Sequence, residues 1–282
     1  MKKTIQILAI AFLVAAVYVC RRPKAESVFE RTAVRSPVPA AEMIIAGLGG
    51  FRGLISEFVW LKADILQTEN RFAELAQVTA WLTYLEPHTP EVWAFASWNL
   101  AYNVSVMMPT FEDRWRWVEA GRRLLQQDAL SLNPSDSQIM REIGWLFLSK
   151  IGGTLDDAAP YYRERWAELV GKAEKTGDWS ATGLEPMRMA AIDAAYGKQD
   201  WSDPLASAVY WADAAIRTAS TVRNRADARQ VLCQALLIET VKNPAFAKRA
   251  LEELRKAAAE TPNSMFDEMI SAFKKKYGVI EE

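Results

Sequence analysis

Residues 85–102 read LEPHTPEVWAFASWNLAY, and residues 132–149 read LNPSDSQIMREIGWLFLS. In both stretches a Leu-x-Pro turn precedes a segment with helical apolar spacing, and Trp98 or Trp145 stands eleven residues after the proline. A stretch that recurs in this way is an internal repeat, and units of two amphipathic helices must stack to bury their apolar faces. The sequence therefore predicts an all-α fold, a superhelix of stacked antiparallel helical hairpins.

Apolar and small residues recur at fixed distances from three prolines. The same pattern follows Pro87 and Pro134, with a large, an apolar, a small and a large residue at four fixed positions. An Ala-Leu-Ala series precedes Pro262. These residues are Trp93, Ala96, Ser97 and Leu100, then Met140, Ile143, Gly144 and Phe147, and finally Ala250, Leu254 and Ala257. The pattern resembles the tetratricopeptide repeat, a helical hairpin of about 34 residues. The resemblance implies a solenoid whose first helices line a concave binding surface, with a small residue where the two helices of a hairpin cross.

The second helix before Pro134 departs from the pattern of the repeat. Arg122 and Gln126 stand where a small and a large apolar residue belong. Gly121 and Leu125, each one residue earlier, are predicted to replace them at the helix crossing. A weaker copy of the second-helix pattern is Ala212, Ile216 and Ala219.

Proline, glycine and helix-capping residues divide the chain into segments. Thr110 with Asp113 forms a capping box, and Asp203-Pro204 is an N-cap followed by a first-turn proline. Asp178-Trp179-Ser180 and Asp200-Trp201-Ser202 echo each other and are interpreted as helix caps with packed indoles. Helices are predicted over 54–69, 72–86, 90–107, 111–131, 137–151, 156–174, 184–197, 204–219, 225–241, 245–260 and 264–277. The predicted domains are an anchor (1–22), a Pro/Gly linker and hinge (23–53), the first hairpins (54–174), an irregular helical insert (175–203), and a C-terminal hairpin with a capping helix (204–282).

The N-terminus carries an apolar segment between charged residues. Residues 4–20 lie between Lys2-Lys3 and Arg21-Arg22, and as a helix they would span about 25 Å, close to the thickness of a bilayer core. We expect an uncleaved signal anchor, with cleavage after Ala16 and lipidation of Cys20 as alternatives. Because positive charge flanks both ends, orientation is weakly determined. The prediction is a single-pass membrane protein of a bacterial envelope whose soluble domain is extracytoplasmic (periplasmic).

Composition excludes several classes of function. Lysine and arginine number 34 against 35 aspartate and glutamate residues, so no basic surface for nucleic acid is expected. Two cysteines and one histidine exclude a disulfide framework and a His/Cys zinc site. His88 lies in a turn between prolines and is not expected to act as a catalytic base. We therefore expect no catalytic residue, no metal and no cofactor.

The candidate site is the concave face of the predicted solenoid. The resemblance places one tryptophan from each of three first helices on this face, together with charged and polar neighbours. The candidate partner-binding residues are Glu57, Trp60, Asp64, Glu91, Trp98, Tyr102, Gln138, Arg141 and Trp145. The alternative is that these indoles are core, since leaving three of them half exposed would forgo on the order of 7 kcal/mol of apolar burial.

The sequence is compatible with three functional hypotheses. The leading hypothesis is a membrane-tethered, non-enzymatic scaffold that binds a protein or peptide partner, with the oligomeric state left open. The second is an all-helical carbohydrate-binding or carbohydrate-active protein, for which the candidate carboxylates are Glu57, Asp64, Glu91 and Asp113. The third is a domain that packs into a larger membrane assembly through the 111–131 helix, with Phe111, Trp115 and Trp117 as anchors.

Overall fold

The fold is all-α in the part of the chain that the computed structural model describes, residues 52–260 and 265–277, where no β-strand occurs. These residues belong to one compact unit, Gly47–Glu282. The helices are numbered here in chain order. They are α1 (Arg52–Thr68), α2 (Phe72–Leu85), α3 (Pro90–Trp98), α4 (Phe111–Arg123), α5 (Ser137–Trp145), α6 (Ala159–Thr176), α7 (Pro186–Tyr196), α8 (Pro204–Thr218), α9 (Val222–Lys242), α10 (Ala247–Glu260) and α11 (Met265–Tyr277).

Three of these helices continue beyond their α-helical part. The chain stays helical through the π-helical segments Asn99–Val104, Leu124–Ala129 and Leu146–Ile151, which follow α3, α4 and α5. Short helical turns, Ser105–Met107 and Leu130–Leu132, complete the first two of these helices. The helical stretches 90–107, 111–132 and 137–151 thus agree with the predicted elements to within one residue.

The predicted caps also form. The backbone N–H of Asp113 donates to Thr110 Oγ1 at 3.1 Å, and that of Leu205 donates to Asp203 Oδ1 at 3.0 Å. The indoles of the two Asp-Trp-Ser motifs, Trp179 and Trp201, pack against the core as predicted, but the interpretation of the motifs as helix caps is wrong. In each, the aspartate accepts from the N–H of the serine two residues later, at 3.0 Å and 3.1 Å. Because the next helices begin only at Pro186 and Pro204, the motifs form Asx turns.

Most helices pack against the next one along the chain. Contacts join α1 to α2, α2 to α3, α3 to α4, α8 to α9, α9 to α10 and α10 to α11. At the α3/α4 crossing the Ser97 hydroxyl donates to the Gly121 carbonyl at 2.9 Å, and a Cβ at Gly121 would lie 2.9 Å from the Ser97 carbonyl oxygen. The prediction that Gly121, and not Arg122, lies at the helix crossing is therefore confirmed.

Helix α5 is an exception, because its main partner is not the next helix but α8. A Cβ at Gly144 of α5 would lie 3.3 Å from the Ala212 nitrogen and 3.4 Å from the Ala208 oxygen, both in α8. Ala212, with which the weaker copy of the pattern begins, thus lies where α5 and α8 approach closely. Residues 152–203, with α6 and α7, come between the two partners in sequence.

The segment between α5 and α8 covers α4. This cover explains why α4 has a charged residue, Arg122, where the repeat pattern has a small one. Arg122 is fully buried, lies 5.5 Å above the Trp166 ring of α6, and donates to the carbonyls of Ala181 at 2.9 Å and Thr182 at 3.3 Å. Its guanidinium is paired with Glu119 through two hydrogen bonds of 2.7 Å and 2.6 Å. Arg122 therefore joins α4 to the inserted segment.

The same cover buries Trp115, one of the three anchors proposed for docking through the 111–131 helix, whereas Phe111 stays exposed. Trp115 is buried with its ring 6.0 Å from that of Tyr162, and the ring of Phe111 lies 6.4 Å from that of Tyr161. Both tyrosines belong to α6. Trp115 is therefore a core residue, and the hypothesis that it anchors an external partner is wrong.

One large core extends along most of the stack. It runs from Trp93 of α3 through Phe147, Tyr210 of α8 and Leu251 of α10 to Phe273 of α11. A smaller cluster joins α1, α2 and the start of α3. The predicted anchor and nearly all of the predicted linker lie outside the described residues. Among the helices that are described, none combines the length and the apolar character needed to cross a membrane.

Candidate functional site

A polar groove of about 370 Å³ lies where the first two turns of three helices meet. Helices α3 and α9 each pack against α5, which brings the three together. The groove is lined by Glu91 of α3, Gln138 and Arg141 of α5, and Arg223, Asn224 and Asp227 of α9. Three of the predicted partner-binding residues, Glu91, Gln138 and Arg141, thus lie in one groove.

The groove has a regular construction. Glu91, Gln138 and Arg223 are each the second residue of their helix. The three helices therefore contribute the same position of their first turn to the groove, and α5 and α9 add residues from their next turn. The α9 contribution was missed, although a signal was present, since Thr221 precedes α9 as Thr89 and Asp136 precede α3 and α5.

Much of the hydrogen-bonding capacity of the groove is unused. Within residues 52–260 and 265–277, the side chains of Glu91, Gln138, Arg223 and Asp227 make no hydrogen bond or ion pair. The Asn224 amide donates only to Ser137 Oγ, at 3.5 Å. Both signs of charge are therefore available to a ligand.

Arg141 differs from these residues because it already has a partner. Its guanidinium is paired with the carboxylate of Glu142, the next residue in α5. Burial raises the pKa of Glu142, and the positive charge of Arg141 opposes this effect only in part. The pairing occupies the Arg141 guanidinium, so Arg223 is the unpaired guanidinium of the groove.

The tryptophans of the repeated stretches lie on the same helix faces as the groove residues. Trp98 is 42 % exposed and Trp145 is 36 % exposed. The indole of Trp98 stacks on the Tyr102 ring with 6.0 Å between centroids and 24° between planes. The alternative that these two indoles are core is wrong, because the buried tryptophans of this region are Trp93 and Trp115.

Tyr102 lies at the far end of this face and connects α3 to α5. Its hydroxyl is 2.6 Å from Ser149 Oγ, and Lys150 Nζ lies 5.3 Å from the centre of its ring. Burial raises the pKa of Tyr102 well above its usual value, so the phenol stays protonated and keeps its hydrogen bond. Tyr102 therefore supports the surface and presents mainly the ring on which Trp98 stacks.

The structure does not bring the predicted α1 residues into this groove. Glu57 and Asp64 are exposed on α1, which packs mainly against α2. The Trp60 indole donates to Glu86 Oε1 at 3.2 Å, and its ring lies 5.5 Å from that of Phe95. The repeat pattern thus predicted correctly that these residues lie in a helix. The prediction that their side chains share a binding surface with those of α3 and α5 is wrong.

The remaining carboxylate candidate for catalysis, Asp113, is also outside the groove. It accepts from the Thr110 hydroxyl at 2.7 Å and pairs with Arg116 at 3.1 Å. In the described part of the chain, no group of three or more His, Cys, Asp or Glu residues could hold a metal ion.

Comparisons with protein-family models, curated proteins and solved structures found no match to this chain. The likeness to tetratricopeptide repeats thus stays a prediction from its own residues.

Proposed function

We propose that this protein is a non-enzymatic helical-repeat scaffold that binds an extended segment of a protein or peptide partner through the α3/α5/α9 groove. In this proposal the helices form a tetratricopeptide-like solenoid, α3, α5 and α9 are the first helices of successive units, and residues 4–20 tether the domain to the envelope membrane. The partner-binding domain then lies on the extracytoplasmic side.

The observation that carries this proposal is the set of unpaired polar side chains that three helices direct into one groove. An extended peptide has unpaired backbone N–H and C=O groups, and its side chains alternate in direction. Glu91 and Asp227 can accept hydrogen bonds, Arg223 can donate, and Gln138 can do both. Such a set suits a chain segment lying across the helices.

The exposed indoles add an apolar contact beside the groove. Trp145 lies one helical turn beyond Arg141 and Trp98 two turns beyond Glu91, on the same faces of their helices. Tryptophan supplies a large, rigid contact area and is enriched at binding hot spots. The groove volume of about 370 Å³ lies near the lower end of the range for ligand sites, which favours a short segment over a folded surface.

The experiment uses the full-length chain labelled with 5-fluorotryptophan, which gives up to eleven fluorine resonances. The resonances of Trp98, Trp145 and Trp166 are assigned with single Trp→Phe variants. Octapeptides that bind the chain are selected from a randomised library and titrated. We expect saturable shifts at Trp98 and Trp145, with no shift at Trp166, which is fully buried.

A matched pair of double variants controls this experiment. Arg223→Ala with Asp227→Ala removes one cation and one anion from the groove, and Lys172→Ala with Glu174→Ala removes the same charges from the exposed side of α6. The groove variant should lose the fluorine shifts, and the α6 variant should retain them. If no octapeptide binds, or if both variants bind equally well, the proposal is wrong.

A second candidate is a glycan-binding protein, because half-exposed indoles on neighbouring helices can stack on sugar rings. The groove also holds two carboxylates, Glu91 and Asp227. Under this hypothesis, soluble oligosaccharides rather than octapeptides shift the Trp98 and Trp145 resonances. The same labelled protein therefore separates the two candidates.

A further inference from the structure

The unpaired charges of the groove are unequal in number. Glu91 and Asp227 are anionic and Arg223 is cationic, while the guanidinium of Arg141 is already paired with Glu142. Because these unpaired side chains come from the first two turns of α3 and α9, a ligand in the groove meets all three. Its charges must therefore complement two carboxylates and one guanidinium.

Ligands of a single charge fit this arrangement poorly. A phosphate or an acidic sugar would gain one guanidinium but would lie beside two carboxylates, and like charges in contact oppose binding. A purely basic ligand would satisfy the carboxylates and cover Arg223 without a partner. Each case leaves at least one charge of the groove uncompensated.

Building on the proposed function, we propose that the ligand is an extended peptide that carries both basic and acidic side chains. A basic side chain of the peptide pairs with Glu91 at the α3 end, and an acidic side chain pairs with Arg223 at the α9 end. Arginine and a carboxylate form a bidentate, charge-assisted pair of hydrogen bonds that fixes the position of the acidic residue. A second basic side chain can reach Asp227, one turn further along α9.

The test measures binding of the full-length chain to four pools of fluorescent octapeptides with blocked termini. One pool carries two lysines and one aspartate at all spacings, one carries two lysines only, one aspartate only, and one neither. An exposed ion pair adds at most about fivefold in affinity, so the mixed pool, which can form three pairs, should bind up to about 100-fold more tightly than the uncharged pool. The aspartate-only pool should bind no better than the uncharged pool.

Charge reversal then identifies the pairing. Arg223→Glu should weaken binding of the mixed pool by about tenfold and should improve binding of the lysine-only pool. Arg225→Glu makes the same change on the same helix outside the groove lining, and it should alter neither pool by more than about twofold.

The outcomes separate this inference from the proposed function. If all four pools bind equally well, and the Arg223→Ala and Asp227→Ala double variant abolishes binding, the groove binds peptides without this charge preference and the inference is overturned. Equal effects of Arg223→Glu and Arg225→Glu overturn it as well. If no pool binds, the inference and the proposed function are both wrong.

Discussion

Replacing Gly121 by alanine tests the close approach of α3 and α4, on which the arrangement of the stack depends. A Cβ at this position would lie 2.9 Å from the Ser97 carbonyl oxygen and 3.3 Å from both Ala101 Cβ and Ser97 Oγ. The nearest atom belongs to the backbone, so the helices must separate to admit the methyl group. Overpacking of this kind costs about 1–3 kcal/mol in the free energy of unfolding.

Alanine also favours helix over glycine by about 1 kcal/mol, which would obscure the crossing cost in a single variant. Gly171 of α6 supplies the matched control, because it is also inside a helix and a Cβ there meets nothing within 4 Å. The helix-propensity gain is common to both substitutions. The difference in unfolding free energy between the two variants therefore measures the overpacking alone, about 1–3 kcal/mol.

Urea denaturation of the full-length chain, followed by far-ultraviolet circular dichroism, provides the measurement. Gly171→Ala should raise the midpoint, and Gly121→Ala should lower it or leave it near the wild-type value, with similar slopes. If Gly121→Ala stabilised the protein as much as Gly171→Ala, α3 and α4 would not cross at Gly121. The account of small residues at hairpin crossings would then be refuted.

Three further predictions concern buried charge, indole exposure and pH. Arg122→Met should lower the free energy of unfolding in urea by about 3–5 kcal/mol because Glu119 loses its buried partner; the half-exposed Arg123→Met should cost less than about 1 kcal/mol. Trp98→Phe should reduce the fraction of fluorescence that acrylamide quenches, whereas Trp166→Phe, which removes a buried indole, should not. Equal effects of the two variants would contradict the exposure of Trp98. Glu142→Gln should raise the thermal midpoint at pH 7, and this gain should shrink as the pH falls, because burial raises the pKa of Glu142.

Proton binding by Glu142 is coupled to folding. The carboxyl of Glu142 binds its proton more tightly in the folded protein than in the unfolded chain, so its contribution to stability is greatest at low pH and declines as the pH rises through the folded pKa. Glutamine imitates the protonated form at every pH. Thermal melts of both proteins between pH 4 and pH 7 check the convergence, and parallel curves would contradict it.

Local signals in the sequence were sufficient for the helices and for one helix crossing. Caps, prolines and apolar spacing act within a few residues, so Thr110 and Asp203 were recognised without knowledge of the tertiary structure. The position of Gly121 was found in the same way, because a crossing requires a small residue at a fixed offset from the turn.

Long-range contacts account for what the sequence did not reveal. The carbonyls that accept hydrogen bonds from Arg122 belong to Ala181 and Thr182, far along the chain. An arginine in a core position could not be interpreted without them. The pairing of α5 with α8 was concealed by the intervening helices for the same reason.

The candidate site was predicted in part. Glu91, Gln138 and Arg141 follow turns with proline, which made their register readable. Arg223 follows a turn without proline, and its place in the groove results from the packing of α9 on α5. The exposure of Trp98 could not be decided from composition, because it depends on which of eleven tryptophans the core accommodates.

The separation of α5 from α8 along the chain has a consequence for biosynthesis. At about 5–20 residues per second, the ribosome takes roughly 3–10 s to translate residues 152–203. During that interval α5 has been made but its main partner has not, so Ile143 and Phe147, both fully buried in the finished protein, lack α8 as a cover. Isolated helices of this length are marginal in water. The nascent chain therefore passes through a period in which chaperone binding or aggregation competes with folding, and this period ends only when residues 204–218 leave the ribosome.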